Sequence, residues 1–427
     1  MRRLLAIGFI WLCCAAAWGI LGATLLVRSQ GSTSGMDHQV RQLWGPPLVQ
    51  APPSASWTEV RREKRPERRV DESNNTVVTV MTEADVTTTT PLPLEASDLH
   101  AALDLEHRKK GLVWFPTYGV QFDGRYTFHN PDAVAREATV RIPVVQGVTY
   151  DGFTVKGADG TPIEVAFEDG EAVFKRVLAP GATLPFTVGY RTRGTARWSY
   201  GLEDHGLGPE QGRARHFKLV VDTNFENVDF PAVGLSPSAH QATGGRWQGT
   251  WEFEQIVGTK PVAVELPQKL NPGPLAAKIT FFAPVSLLFF IFVTGMLLAA
   301  RRRSIHPVNY FLLACAFFSF HLLFAYLIDH LEVGVSFALA SLVSIALVVS
   351  YARLFVGWGL AVKQLGVSQL LYLVLFSFSF FWDGFTGLAI TIGAIATLFV
   401  VMQLTGKLDW TEVLARKPEP APQPPPL

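Results

Sequence analysis

RRRSIHPVNYFLLACAFFSFHLLFAYLIDH, residues Arg301 to His330, joins a basic triplet, an Ile-His-Pro opening, a long apolar run and an acidic-polar exit. Pro307 fits the first turn of a helix, where its missing N–H costs no hydrogen bond. The run behind it is long enough to cross a hydrocarbon core of roughly 30 Å, so the stretch is expected to be a membrane span. Arg301, Arg302 and Arg303 precede it, and Asp329, His330 and Glu332 follow it. Because Lys and Arg stay on the cytoplasmic side, the span is oriented from inside to outside.

Four more apolar segments flank this one: residues 279–300 before it, and 333–352, 365–382 and 385–405 after it. Residues 4–27 add a first span behind Met1-Arg2-Arg3, read as an uncleaved anchor; a signal peptide cut after Ala15-Ala16-Ala17 is the competing reading. The short outer loops hold Asp329, Glu332 and Asp383 and no Lys or Arg, whereas Arg353, Lys363 and Lys407 mark inner ends. Six spans with both termini in the cytoplasm satisfy the charge rule and leave residues 28–278 outside. Trp358, Trp382 and Trp410 fall near the expected interfaces.

Residues 28–110 are rich in Pro, Ser, Thr, Arg and Glu and read as a partly disordered linker. Within them RREKRPERR, Arg61 to Arg69, carries six basic and two acidic side chains around Pro66, which opposes one continuous helix. A solvated charged loop is the plainer reading, and contact with anionic lipid the functional one. Val77 to Met81 is the one strand expected before residue 110. The Pro-rich end, residues 411–427, reads as a cytoplasmic tail.

From Gly111 onward apolar residues recur at period two, as a strand with one buried face requires. Ala138, Val140 and Ile142 alternate with polar neighbours, as do Leu184, Phe186, Val188 and Tyr190, and Trp247, Trp251 and Phe253. Asp169-Gly170 between VAFE and EAVF is the two-residue loop of a tight hairpin. Dense turn chemistry and the lack of helical period predict a β-sandwich or related antiparallel fold over residues 111–278. The expected fold class is therefore an α+β membrane protein with six-helix topology: one N-terminal span (1–27), a C-terminal five-helix block (279–410), and an all-β, sandwich-like extracytoplasmic domain.

The chain has 427 residues and a formal net charge of +1, with no concentrated basic face of the kind a nucleic-acid partner requires. Cys13, Cys14 and Cys315 all lie in apolar runs, and no zinc or redox motif is present. His205, His216 and His240 match no metal-ligand spacing, and no cofactor is expected. Ser238 and His240 lack the strand-turn-helix elbow of a nucleophile. No catalytic residue is assigned.

The motifs resemble those of the CreD inner-membrane proteins of bacteria. IHPVNYFLLA (Ile305 to Ala314) and YLIDHL (Tyr326 to Leu331) are similar to the family's Ile-His-Pro-Val-Gln-Tyr opening and Ser-Glu-His exit, with Asn309 for Gln and Asp329 for Glu. LTGKLDW (Leu404 to Trp410) is similar to Leu-Thr-Arg-Lys-Ile-Asp-Trp, with Gly406 for Arg. VRQLWG (Val40 to Gly45) stands where the family has a Ser-Trp-Gly segment, and Leu105 to Tyr126 resembles its basic-then-Gly strand start. Much of residues 130–265 matches no family motif, and the Pro-Arg stretch departs from the family.

The resemblance implies an inner-membrane protein tied to envelope integrity or envelope stress, and it transfers no catalytic residue. Candidate functional residues are His306, Pro307, Tyr310, His321, Asp329, His330, Asp409 and Trp410. His306 is weighed against a helix cap, and mid-membrane His321 against a neutral histidine bonded to a hydroxyl such as Ser319. Asp329, His330 and Glu332 are weighed against a solvated rim. The leading expectation is a binding role for the external domain, with the bilayer and an envelope component or protein as partners. A transporter or channel is the alternative, and a membrane enzyme on an envelope substrate the third.

Overall fold

The computed structural model describes residues 2–71, 76–111, 113–202, 213–232, 234–257, 260–301, 305–382 and 384–406. The chain divides into two compact units: Met1–Gly35 with Gly111–Val113 and Leu270–Leu427, and Met36–Lys110 with Trp114–Lys269.

The first unit is helical. Its helices are α1 (Arg2–Trp44, of which the residues to Gly35 belong to this unit), α2 (Pro272–Ala300), α3 (Pro307–Leu327), α4 (Val333–Val356), α5 (Trp358–Phe381) and α6 (Thr386–Thr405). Each is long and apolar enough to cross a membrane. Leu313, Phe317, Phe320 and Phe324 recur at helical spacing on the buried face of α3, where they pack in one core with Leu287 and Phe290 of α2 and Phe337 and Ala340 of α4. Leu342, Leu354, Ile395 and Phe399 point outward, which suits helices with hydrocarbon on their outer side.

Three helices differ from expectation. Helix α2 starts at Pro272 rather than residue 279. Helix α1 continues past residue 27 to Trp44. Helix α5 starts at Trp358 rather than residue 365, so Lys363 lies inside a helix and only Gly357, at φ 85°, separates α4 from α5. Apolar content falls between Gly357 and Gln364, which obscures the helix in the sequence. The backbone stays helical there by using two π-helical stretches, Ala361–Gly366 and Leu370–Leu375, with bonds one residue longer than in an α-helix.

The second unit is β-rich and has three sheets around one apolar core. The seven-stranded sheet follows the order β13 (Ala239–Thr243), β14 (Arg246–Val257), β12 (Arg213–Thr223), β4 (Leu94–Lys110), β5 (Val113–His129), β10 (Thr183–Thr195), β7 (Asp151–Gly157). The five-stranded sheet follows the order β3 (Thr76–Pro91), β2 (Ser54–Asp71), β6 (Arg136–Pro143), β9 (Glu171–Leu178), β8 (Ala166–Glu168). A small third sheet joins β1 (Leu48–Gln50), β11 (Arg197–Tyr200) and β15 (Val262–Glu265). The alternation read from sequence sets the buried faces: Ala138, Val140 and Ile142 on β6, Leu184, Phe186, Val188 and Tyr190 on β10, and Trp247 and Trp251 on β14. The hairpin at Asp169-Gly170 forms with both residues at positive φ and Glu168 opposite Glu171.

The linker expected over residues 28–110 is corrected. Beyond α1, three long strands occupy it, and β4 lies inside the seven-stranded sheet with Leu99, Ala101 and Leu103 buried. Strands β2 and β3 form a hairpin over their whole length, Ser56 opposite Pro91 through Asp71 opposite Thr76. Pro66 is tolerated because β2 pairs with β6 only at Ser54–Ser56, which leaves its second edge free of ladder bonds at the proline. The sheets are also not wholly antiparallel: β12 runs parallel to β4, and β1 to β11. A two-residue period is common to both ladder types, so the sequence pattern does not tell them apart.

Hydroxyls of buried tyrosines join the sheets. Tyr190 donates to Gln50 Oε1 at 2.5 Å, Tyr118 donates to the Arg197 carbonyl at 2.8 Å, and the Tyr126 and Tyr200 hydroxyls lie 3.3 Å apart. Burial pushes all four phenols above their ordinary range.

The Trp-Gly motif near the end of α1 also has a structural role. The guanidinium of Arg108 stacks 3.7 Å from the Trp44 ring centre, and that of Arg193 lies 5.0 Å away. Gly45, at φ 100°, lets the chain turn where a Cβ would stand 2.7 Å from the Arg193 carbonyl.

Candidate functional site

The candidate residues of the helical unit do not converge. His306 caps α3, its Nδ1 accepting from the Val308 N–H at 3.3 Å, and Pro307 takes the first helical position. Tyr310 is buried one turn on, and the neighbouring Asn309 accepts from the Tyr351 hydroxyl at 2.9 Å, joining α3 to α4. Asp329, beyond the opposite end of α3, pairs with Arg28 of α1, whose guanidinium lies 5.9 Å from the centre of the Tyr326 ring. His330 is exposed. At about 1.5 Å per residue the length of α3 puts roughly 30 Å between His306 and Asp329. Asp409 and Trp410 lie outside the described residues, as do Arg302, Arg303, Asp383 and His205.

His321 is 1% exposed and sits among rings: Phe320 at 4.9 Å, Trp18 of α1 at 5.4 Å and Phe317 at 6.0 Å between centroids. The expected hydroxyl partner is not there, because Ser319 donates to the Ala316 carbonyl instead. Neither ring nitrogen of His321 has a side-chain hydrogen-bond partner among the described residues, and its polar contact is with the Phe317 carbonyl one turn back in α3.

Uncharged polar residues, which sequence reasoning passed over, tie the helices together. Gln369, fully buried between the two π-helical stretches of α5, donates to Ser344 Oγ at 2.9 Å, and Ser344 donates to the Ala316 carbonyl at 2.7 Å. Ser286 of α2 donates to the Tyr372 carbonyl, and the Tyr372 hydroxyl shares a 2.7 Å hydrogen bond with Thr397 of α6. These bonds link α2 to α5, α3 to α4, α4 to α5 and α5 to α6, in the manner of polar contacts between membrane helices.

A cleft of about 610 Å³ opens on the outward face of the seven-stranded sheet of the β unit. Register builds it. Gln241 of β13, Gln248 of β14, Asp222 of β12 and Ala102 of β4 are successive cross-strand partners, so their side chains form one row. Three members carry polar groups and Ala102 only a methyl, and the cleft opens beside them toward Asp104 and Asn224. Gln241 donates to Gln248 Oε1 at 3.0 Å, Gln248 donates to Asp222 Oδ1 at 2.8 Å, and His100 Nε2 lies 2.6 Å from Asp222 Oδ2. Asp104 and Arg246 complete the rim. The ladder fixes the side-chain positions, while Gln241 and Arg246 remain open to solvent.

Among the described residues, six apolar helices and a separate β-rich unit define a multi-spanning membrane protein with a sandwich-like domain. Residues 270–411 match the family model described as inner membrane protein CreD, the family whose motifs the same block resembles. No curated protein matches the chain. Among solved structures, one described as a candidate nutrient binding protein of Legionella pneumophila is 11% identical, with 46% of this chain and 72% of that chain covered and a TM-score of 0.29. Another, described as a candidate protease of Parabacteroides distasonis, is 11% identical over 65% of this chain and 58% of that one, with a TM-score of 0.22. At those scores neither defines a common fold.

Proposed function

We propose that this CreD-like protein is a membrane-held binding protein of the cell envelope. Its β unit lies on the periplasmic side and contacts an envelope component, and its helices hold that unit at the outer face of the inner membrane with both termini in the cytoplasm. It works by binding, without turnover. The observation that carries this reading is the preordered polar cleft around Ala102, a concave site with side chains already fixed by hydrogen bonds. The charge pattern of the loops supports the orientation.

The test is complementation. Cells lacking the protein are challenged with membrane-active agents and supplied with the wild type, Ala102→Leu or His321→Leu. Wild type and His321→Leu restore resistance, and Ala102→Leu, made to the same level, does not. Full rescue by Ala102→Leu would remove the cleft from the function.

A transporter is the second reading, and the π-helical stretches on either side of Gln369 favour it, because such turns recur at functional sites in helices. Under it, Gln369→Leu loses function while Ala102→Leu keeps it. The orientation is tested separately in a background without Cys13, Cys14 and Cys315. Thr161→Cys is labelled by an impermeant thiol reagent on intact cells and Arg301→Cys is not.

A further inference from the structure

We infer that the cleft around Ala102 takes an uncharged, hydroxyl-rich ligand, an oligosaccharide segment, an assignment that rests on the binding role proposed above. The rim presents opposite requirements at close intervals. Asp104 and Asp222 accept hydrogen bonds, Arg246 donates, and the carboxamides of Gln241 and Gln248 do both. They stand on neighbouring strands about 4.8 Å apart. A phosphate satisfies Arg246 but meets two carboxylates, and an ammonium satisfies the carboxylates but meets the guanidinium. An apolar chain covers the remaining donors and acceptors of the rim and gives them no partner. A hydroxyl is donor and acceptor at once, and successive hydroxyls of a sugar ring answer such an alternating rim without adding charge.

The bonds already made leave suitable capacity. Both Asp222 oxygens hold one partner each and retain a lone pair, and Gln241 uses one of its donors on Gln248 and keeps its carbonyl oxygen. No ion pair engages Arg246 or Asp104 among the described residues. Ala102 lines the cleft with only a methyl, which leaves room for a sugar ring beside the row of polar groups. Because Ala102 faces outward, filling this space changes the site and leaves the core packing alone.

The experiment uses the full chain in lipid nanodiscs, since maltoside and glucoside detergents are themselves hydroxylated ligands. Chitotriose and maltotriose are titrated by ligand-observed NMR against wild type, Ala102→Leu and Gln248→Ala, with inorganic phosphate and spermidine as charged controls. The expected result is saturable binding of at least one oligosaccharide, weakened by at least about tenfold in both variants at an unchanged unfolding temperature. Binding of neither sugar, binding indifferent to Ala102→Leu, or tighter binding of a charged control overturns the assignment. If Ala102→Leu also fails to rescue cells while no sugar binds, the binding role stands and the oligosaccharide assignment alone falls.

Discussion

Trp18 and His321 meet ring to ring inside the helical unit, with centroids 5.4 Å apart and planes at 81°. Both side chains are buried; the indole N–H has no hydrogen-bond partner among the described residues, and the imidazole has no side-chain partner there, only the Phe317 carbonyl of its own helix. The contact between α1 and α3 is therefore one of shape and ring packing, made at the cost of desolvating polar atoms. His321→Leu keeps the volume and removes those atoms. The variant is expected to unfold at the same temperature as the wild type or higher, a gain of up to about 2 kcal/mol. A clear loss of stability in a nanodisc thermal-unfolding assay would mean that the imidazole has a polar partner beyond the Phe317 carbonyl.

Trp247 folds back over Gly249, so that a Cβ built on the glycine would stand 2.1 Å from the indole. Gly249→Ala forces this large buried ring out of its place. A loss of about 1–3 kcal/mol is expected, read as a lower unfolding midpoint of the β unit by tryptophan emission.

Tyr190→Phe removes the donor to Gln50 Oε1 and leaves a buried carbonyl oxygen without that bond. The expected cost is about 1–3 kcal/mol. Gln50→Leu alone should cost more than Tyr190→Phe alone, because Gln50 also donates to the Ala51 carbonyl at 2.9 Å; equal or smaller loss in Gln50→Leu would count against this account.

Alkali is expected to unfold the β unit. Burial holds Tyr118, Tyr126, Tyr190 and Tyr200 above their ordinary value near 10. The unfolded chain releases these protons before the folded one does. The stability they contribute is full below about pH 10 and is lost as pH rises above it, by about 1.4 kcal/mol per pH unit for each group. Tyrosinate absorbance and near-UV circular dichroism followed together should change in one step; ionisation of the four without loss of the dichroism would contradict it.

The legible parts of the fold were those with a strong period or a strong punctuation mark. His306-Pro307 announced the start of α3, and Asp169-Gly170 the tight hairpin. Strand β4 was equally readable, since Leu99, Ala101, Leu103 and Leu105 alternate with His100, Ala102 and Asp104. The polar composition around it masked that period. The β2–β3 hairpin was harder, because its charged and threonine-rich strands carry little apolar signal and much of their pairing lies beyond β6. The cleft was out of reach: Ala102 is over a hundred residues from Asp222, Gln241 and Gln248 in the chain and joins their row only through the register of β4 with β12. Gln369 and Ser344 went unnoticed because a search for charge in the membrane overlooks uncharged polar side chains.

The turn at Gly357 limits where the chain can be altered. With one residue between α4 and α5, and Ser344 bonded to Gln369 across the pair, the two helices form a closed hairpin with almost no loop between them. A tag, protease site or chain break placed at this point is expected to separate helices that are bonded directly to each other.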